Sequence, residues 1–266
     1  MKQPRVCVLR TAGTNCDRET AFAFEKAKAK AQLVHINSLL AGETLLDGYC
    51  ILVFPGGFSY GDDIASGKIF ANELRYKLAD ALTKFIHDGK LIIGICNGFQ
   101  ILVKAGILPG NGEFLQEATL TINDSGKFED RWTYLRPPQT LARKPLCCVW
   151  TKGLPEIIYL PVAHGEGKFI AKDRGVSERL KNNGQVVFQY CNGAGKLTGY
   201  PDNPNGSQNN IAGICDTTGR IMGLMPHPER HVACTQHPRR SAKSKKAGGD
   251  GLQIFQNGVD YAKKYL

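Results

Sequence analysis

Leu91-Ile92-Ile93-Gly94-Ile95-Cys96-Asn97-Gly98-Phe99-Gln100 is the stretch that decides the fold of this chain. An apolar run ends in a cysteine with glycine two places away on each side, and apolar residues at helical spacing follow. The pattern predicts a buried strand, a sharp turn and a helix, the design of a nucleophile elbow with cysteine in place of serine. Glycine at 94 and 98 keeps Cβ atoms out of the crowded turn. The helix starting near Asn97 aims free N–H groups at the sulfur, and its dipole favours a thiolate. Taken alone, the same pattern also suits a buried core cysteine. The downstream stretch Pro226-His227-Pro228-Glu229 favours the elbow.

Working outward, Arg5–Leu9, Ala31–Ile36 and Cys50–Phe54 read as further buried strands. Thr14-Asn15-Cys16-Asp17 offers caps for a helix carrying Ala21, Phe24 and Ala27, and a short helix is expected over Ser38–Leu46. A single helix is expected over Ala71–His87, with Leu74, Leu78, Leu82 and Phe85 on one face. Strands alternating with helices predict an α/β fold with a parallel sheet covered on both faces. Ligands in such sheets sit beyond the carboxyl ends of the strands. Pro55-Gly56-Gly57 and Cys96 both lie there. From Gly110 the runs shorten, at Ala118–Ile122, Arg131–Leu135, Leu146–Thr151, Ile157–Val162 and Val186–Tyr190, which predicts an antiparallel portion extending the same sheet. Ile211–Cys215 and Ile221–Met225 read as a hairpin, and a helix is expected over Leu252–Tyr265. Without repeats or a clear linker, one domain over 1–266 is expected.

His227 follows the last strand, braced by two prolines, and Glu229 lies two residues on. In an extended segment both side chains share a face. The carboxylate can then orient the imidazole, giving a Cys96-His227-Glu229 relay. The amide of Asn97 is one expected oxyanion donor and an amide of Gly56-Gly57, assigned to Gly57, the other. Gly61–Lys68 is a poor phosphate loop, since five residues separate Gly61 from Gly67 and Ile69 stands where Ser or Thr is needed. His227 and His231 have a zinc-like spacing but no accompanying Cys-x-x-Cys, so no metal is expected.

The composition sets limits. Among 266 residues, 42% are hydrophobic and 22% charged, ordinary for a globular chain, and no apolar run reaches a membrane span of about 18 residues. Nine scattered cysteines, an odd number, and the lack of an apolar N-terminal leader point to reduced thiols and a cytoplasmic protein. The net charge of +10 is partly concentrated between Arg239 and Lys246, where small polar residues predict a solvated loop rather than a nucleic-acid module.

Together, Pro55-Gly56-Gly57, Gly94–Gln100 and Pro226–Glu229 resemble class I (triad-type) glutamine amidotransferases. Gly56–Asp62, Lys127–Trp132, Ala163–Gly167 and Gly199–Ser207 narrow the resemblance to the glutaminase subunits of phosphoribosylformylglycinamidine synthases. The resemblance implies a flavodoxin-like α/β fold, a mostly parallel central sheet with an added antiparallel portion. It implies hydrolysis of glutamine through a Cys96 thioester, with Gly56, Gln100, His164 and Gly165 holding glutamine. It also implies no cofactor in this chain. The partners would be a separate formylglycinamide ribonucleotide synthetase that uses ATP and magnesium, and a small third subunit. The segment Arg136–Pro155 and the basic stretch after His237 are longer than in short members of the family. An amidotransferase or hydrolase of another pathway, and a non-catalytic basic binding module, are the alternatives. Stimulation by the synthetase separates the first from this reading, and salt-sensitive RNA binding with an inert Cys96 marks the second.

Overall fold

The computed structural model describes residues 3–110, 114–138, 148–238, 240 and 248–266. In chain order the elements are β1 (Arg5–Arg10), α1 (Asp17–Lys26), β2 (Lys30–His35), α2 (Ile36–Leu40), β3 (Ile51–Phe54), α3 (Lys68–Lys77), α4 (Ala79–His87), β4 (Leu91–Ile95) and α5 (Asn97–Lys104). They continue with β5 (Ala118–Thr121), β6 (Glu129–Arg136), β7 (Ile158–His164), β8 (Lys168–Ala171), α6 (Arg174–Asn182), β9 (Val186–Cys191), β10 (Ile211–Cys215), β11 (Ile221–Leu224) and α7 (Leu252–Tyr265).

Nine strands form one sheet in the order β2-β1-β3-β4-β11-β10-β9-β6-β7. The first five are mutually parallel, and from β11 onward the neighbours are antiparallel. Every residue of β3, β4 and β11 is buried, as expected for parallel strands covered on both faces. β4 is flanked by β3 and β11, with Phe54 opposite Gly94 and Leu224 opposite Ile95. The three segments that follow these strands, Pro55–Gly57, Cys96 and Pro226–Glu229, therefore emerge side by side at one edge. The added antiparallel strands extend this sheet as the sequence predicts, while β5 and β8 pair in a separate ribbon. That ribbon lies over α5, where the Phe99 and Phe169 rings stack at 6.4 Å, and all eight residues of α5 are buried.

Three expectations need correction, and two elements were not expected. The helix predicted over Ala71–His87 is two helices, broken at Leu78, whose φ of −124° and ψ of 10° leave the helical region. The expected helix over Ser38–Leu46 is the short α2 followed by a 3-10 turn at Leu46–Gly48. The run Leu146–Thr151 is no strand in its described part, which forms a 3-10 turn at Val149–Thr151 and buries Trp150 against Gly258 of α7. Strand β8 and helix α6 have no counterpart in the sequence reading. Most of the basic stretch 239–249 and part of the segment 136–155 lie outside the described residues.

Candidate active site

The elbow is built by close packing of backbone. A Cβ on Gly98 would stand 1.8 Å from the Phe54 carbonyl oxygen, and one on Gly94 would stand 2.6 Å from the Gly98 oxygen. Glycine at both places lets α5 start hard against β3 and β4. Cys96 takes φ 51° and ψ −107°, a conformation that costs a non-glycine residue about 1–3 kcal/mol. The fold holds it there: its N–H donates to Leu224 O at 2.8 Å, and its carbonyl accepts from the Phe99 and Gln100 amides. The strained turn carries Sγ clear of the strand, 3.7 Å from the Ala163 carbonyl.

His227 leaves β11 with its N–H bonded to Pro161 O at 2.8 Å. Its Nδ1 and Glu229 Oε1 are 2.6 Å apart, both groups are buried, and the short 3-10 turn at Pro228–His231 sets their relation. The carboxylate fixes the proton on Nδ1, which leaves Nε2 as the free nitrogen, and Nε2 makes no hydrogen bond. Burial acts to lower the His227 pKa. The Glu229 charge and the charge of an ionised Cys96 outweigh it and raise the imidazole well above its usual range, so the ring keeps the proton that Cys96 gives up.

Beside Cys96, neither the Gly57 nor the Asn97 amide has a backbone acceptor among the described residues. Gly57 has φ +141°, and a Cβ there would lie 2.7 Å from Asn15 N, so only glycine fits. The Gly56 carbonyl accepts from the Cys16 amide at 3.2 Å, which turns the Gly57 N–H away from Cys16 across the planar peptide. The Asn97 side chain is locked: Oδ1 accepts from Ser59 N–H, and Nδ2 donates to Asp62 Oδ1 at 3.1 Å and to Gln100 Oε1 at 3.0 Å. Cys96, His227 and Gly57 border one cleft of 260 Å³. The arrangement offers a thiol nucleophile, an oriented base and two amide donors.

Comparison with known proteins identifies the family of the fold that carries these residues. The CobB/CobQ-like glutamine amidotransferase domain matches residues 3–262. The phosphoribosylformylglycinamidine synthase subunit PurQ of Dehalococcoides mccartyi is 49% identical over 99% of this chain and 100% of its own. The chain belongs to the PurQ family. The PurQ of Methanococcus maripaludis is 44% identical over 98% of both chains. The solved structure of PurLQS from Thermotoga maritima aligns with a TM-score of 0.71 at 34% identity, over 98% of this chain and 99% of that one.

Within this family fold, the four residues expected to hold glutamine stand off the cleft wall. Gln100 is buried behind the elbow, its Nε2 donating to Glu166 O at 2.6 Å. His164 is buried because alternation along β7 turns it away from the face that Ala163 shows to the cleft. Gly165 gives its carbonyl to the Asn123 amide at 2.9 Å. Gly56 packs beneath the imidazole, where a Cβ would meet His227 Cε1 at 2.8 Å. The walls come instead from Asn15, Cys16, Phe58, Phe128, Asp130 and Arg230. Two of the stretches that carry them, Thr14–Asp17 and Lys127–Trp132, stood out in the sequence only as helix caps and as a resemblance.

Cys16 is a second thiol beside the imidazole. Its Sγ accepts from Arg230 Nη2 at 3.2 Å and donates to Asn15 Oδ1 at 3.1 Å. Burial pushes its pKa up to about 11, so it stays protonated and is a poor competitor for Cys96. Cys16, His227 and Glu229 also bring a sulfur, a nitrogen and an oxygen within 4.8 Å of one another, a spacing that suits a metal ion. The Arg230 guanidinium on the same sulfur places a positive charge against a cation there.

Proposed function

We propose that this chain is the glutaminase subunit of phosphoribosylformylglycinamidine synthase, acting as one amidotransferase domain across residues 1–266. The observation that carries the reading is the meeting of three motifs on adjacent parallel strands: the Cys96 elbow, the His227–Glu229 pair at 2.6 Å and the free Gly57 amide. Nε2 of His227 takes the Cys96 proton, and Sγ attacks the side-chain carboxamide carbon of glutamine. The Gly57 and Asn97 amides stabilise the oxyanion, and losing one such donor typically costs about a hundred- to a thousandfold in rate. The imidazolium returns its proton to the leaving nitrogen, ammonia departs and a thioester remains. Water activated by the same imidazole then releases glutamate. Glu229 keeps the ring oriented and stabilises its charged form.

The ammonia serves a separate synthetase that converts formylglycinamide ribonucleotide to its amidine. ATP and magnesium belong to that partner, and the setting is the cytoplasm. Among the described residues no helix is long and apolar enough to cross a membrane. The test is Cys96→Ala in the complex reconstituted with the synthetase. Glutamine-dependent synthesis should fall by about a thousandfold or more, while synthesis from added ammonium salt persists. Loss of both activities would assign Cys96 a structural role instead.

A further inference from the structure

The cleft carries two charged groups besides the imidazole, one of each sign, and neither has a part in the steps above. They are Asp130 and Arg230. Glutamine also carries one charge of each sign, on its α-carbon, at the opposite end from the amide that reacts. We propose that Asp130 binds the α-ammonium group of glutamine and that Arg230 binds its α-carboxylate, an assignment that rests on the glutaminase reading.

The placement of Asp130 follows from strand register. On β6 and β7, Asp130 lies directly opposite Ala163, while Glu129 lies opposite His164. Residues opposite one another in an antiparallel pair share a face, with Cα atoms about 5 Å apart. Glu129 and His164 are both buried on one face. Asp130 and Ala163 therefore stand together on the other, and both border the cleft. The Ala163 carbonyl is in turn 3.7 Å from Cys96 Sγ. The path from sulfur to carboxylate thus runs over one carbonyl contact and one cross-strand step, a span that the three carbon–carbon bonds between the amide carbon and the α-carbon of glutamine bridge once the approach of the sulfur at one end and the hydrogen bond to the ammonium at the other are added.

The state of both side chains fits a ligand. Asp130 is exposed and has no hydrogen-bond or ion-pair partner among the described residues. Its neighbour Arg131 is directed elsewhere, to Glu129 and to the Tyr200 hydroxyl. Arg230 is half-buried and held at two points, Nε to Glu19 at 2.9 Å and Nη2 to Cys16 Sγ at 3.2 Å. A guanidinium has five N–H donors, so donors remain for a carboxylate. The Phe58 and Phe128 rings, stacked at 6.3 Å, also border the cleft and suit the methylene stem between the two ends.

The test compares substrates that differ at the α-carbon alone. In the complex reconstituted with the synthetase, ammonia release is measured from L-glutamine and from 4-carbamoylbutanoate, which lacks the α-ammonium. Asp130→Asn should raise KM for glutamine about tenfold or more, hold kcat within about twofold, and leave 4-carbamoylbutanoate kinetics unchanged. Asp130→Glu should recover part of the loss. For the other charge, Arg230→Gln should raise KM for glutamine but not for L-glutaminamide, whose α-carboxylate is replaced by a neutral amide. Equal effects on both substrates of a pair, or no change with glutamine, would overturn the assignment. A wild-type complex that releases no ammonia from glutamine would remove the glutaminase reading itself.

Discussion

Acidification should destabilise this protein through His164, and the hydrogen-bond pattern says why. Asn123 Nδ2 donates to the carbonyls of Lys127 and His164, each at 2.8 Å, so its Oδ1 must accept. It accepts from Gly167 N–H at 2.9 Å and from His164 Nδ1 at 3.1 Å, which places the imidazole proton on Nδ1. On the other side, Asn205 Oδ1 accepts from the Ser207 amide and hydroxyl, so its Nδ2 faces His164 Nε2 as a donor at 3.5 Å. A second proton on Nε2 would meet that donor in a buried site. Burial, with the nearby charge of His227, accordingly pushes His164 from 6.5 down to about 3. The folded value lies below the unfolded one, so the associated stability is complete above pH 6.5 and is lost as pH falls toward 3. At about 1.4 kcal/mol per pH unit, moving from pH 7 to pH 5 removes about 2 kcal/mol. Urea unfolding at both pH values measures it, with His164→Gln as the comparison that cannot titrate. The variant starts less stable but should lose about 2 kcal/mol less than wild type over the same interval. Identical losses in the two proteins would refute the neutral, Nδ1-protonated assignment.

Two further outcomes are expected. A glutamine-like electrophile should label Cys96 before the other cysteines, with Cys16 slow because it is held near 11 and Cys7 slower because burial raises it to about 12; peptide mass spectrometry after partial reaction checks this, and labelling of Cys16 first would reverse the roles of the two thiols. Gly98→Ala should lower stability by about 3 kcal/mol or more, since its Cβ would sit 1.8 Å from backbone oxygen, whereas Gly199→Ala, with open space around it, should change the urea midpoint little.

The elbow was legible because its signals are local: a fully apolar strand, two glycines forced by close approach, and an apolar helix. The same holds for α7, whose bounds match the sequence reading. The break at Leu78 was hidden because Leu74, Leu78 and Leu82 keep helical spacing across it and are all buried. Helix α6 was missed because it buries only Val176 and Leu180, too few apolar positions to show a period. The His227–Glu229 pair was readable from a two-residue spacing. Arg230 and Cys16 were not, since their contact joins positions 214 residues apart. His164 was placed with the glutamine by resemblance alone, while the strand reading stopped at Val162 and β7 runs on to His164. Had the strand been carried two residues further, alternation would have turned His164 inward beside Ala163.

The position of β11 bears on how the protein is made. The chain lays down β4 and its cysteine early, yet the strand that must sit against β4 is the last of the sheet to be synthesised. Until β11 enters between β4 and β10, the growing chain has a nucleophile and no base beside it. Chains leave synthesis N-terminal part first, so every incomplete product, whether stalled or cut short before residue 221, carries the thiol without the imidazole that activates it. The order of strands along the polypeptide thereby makes synthesis as far as Glu229 a condition for releasing ammonia.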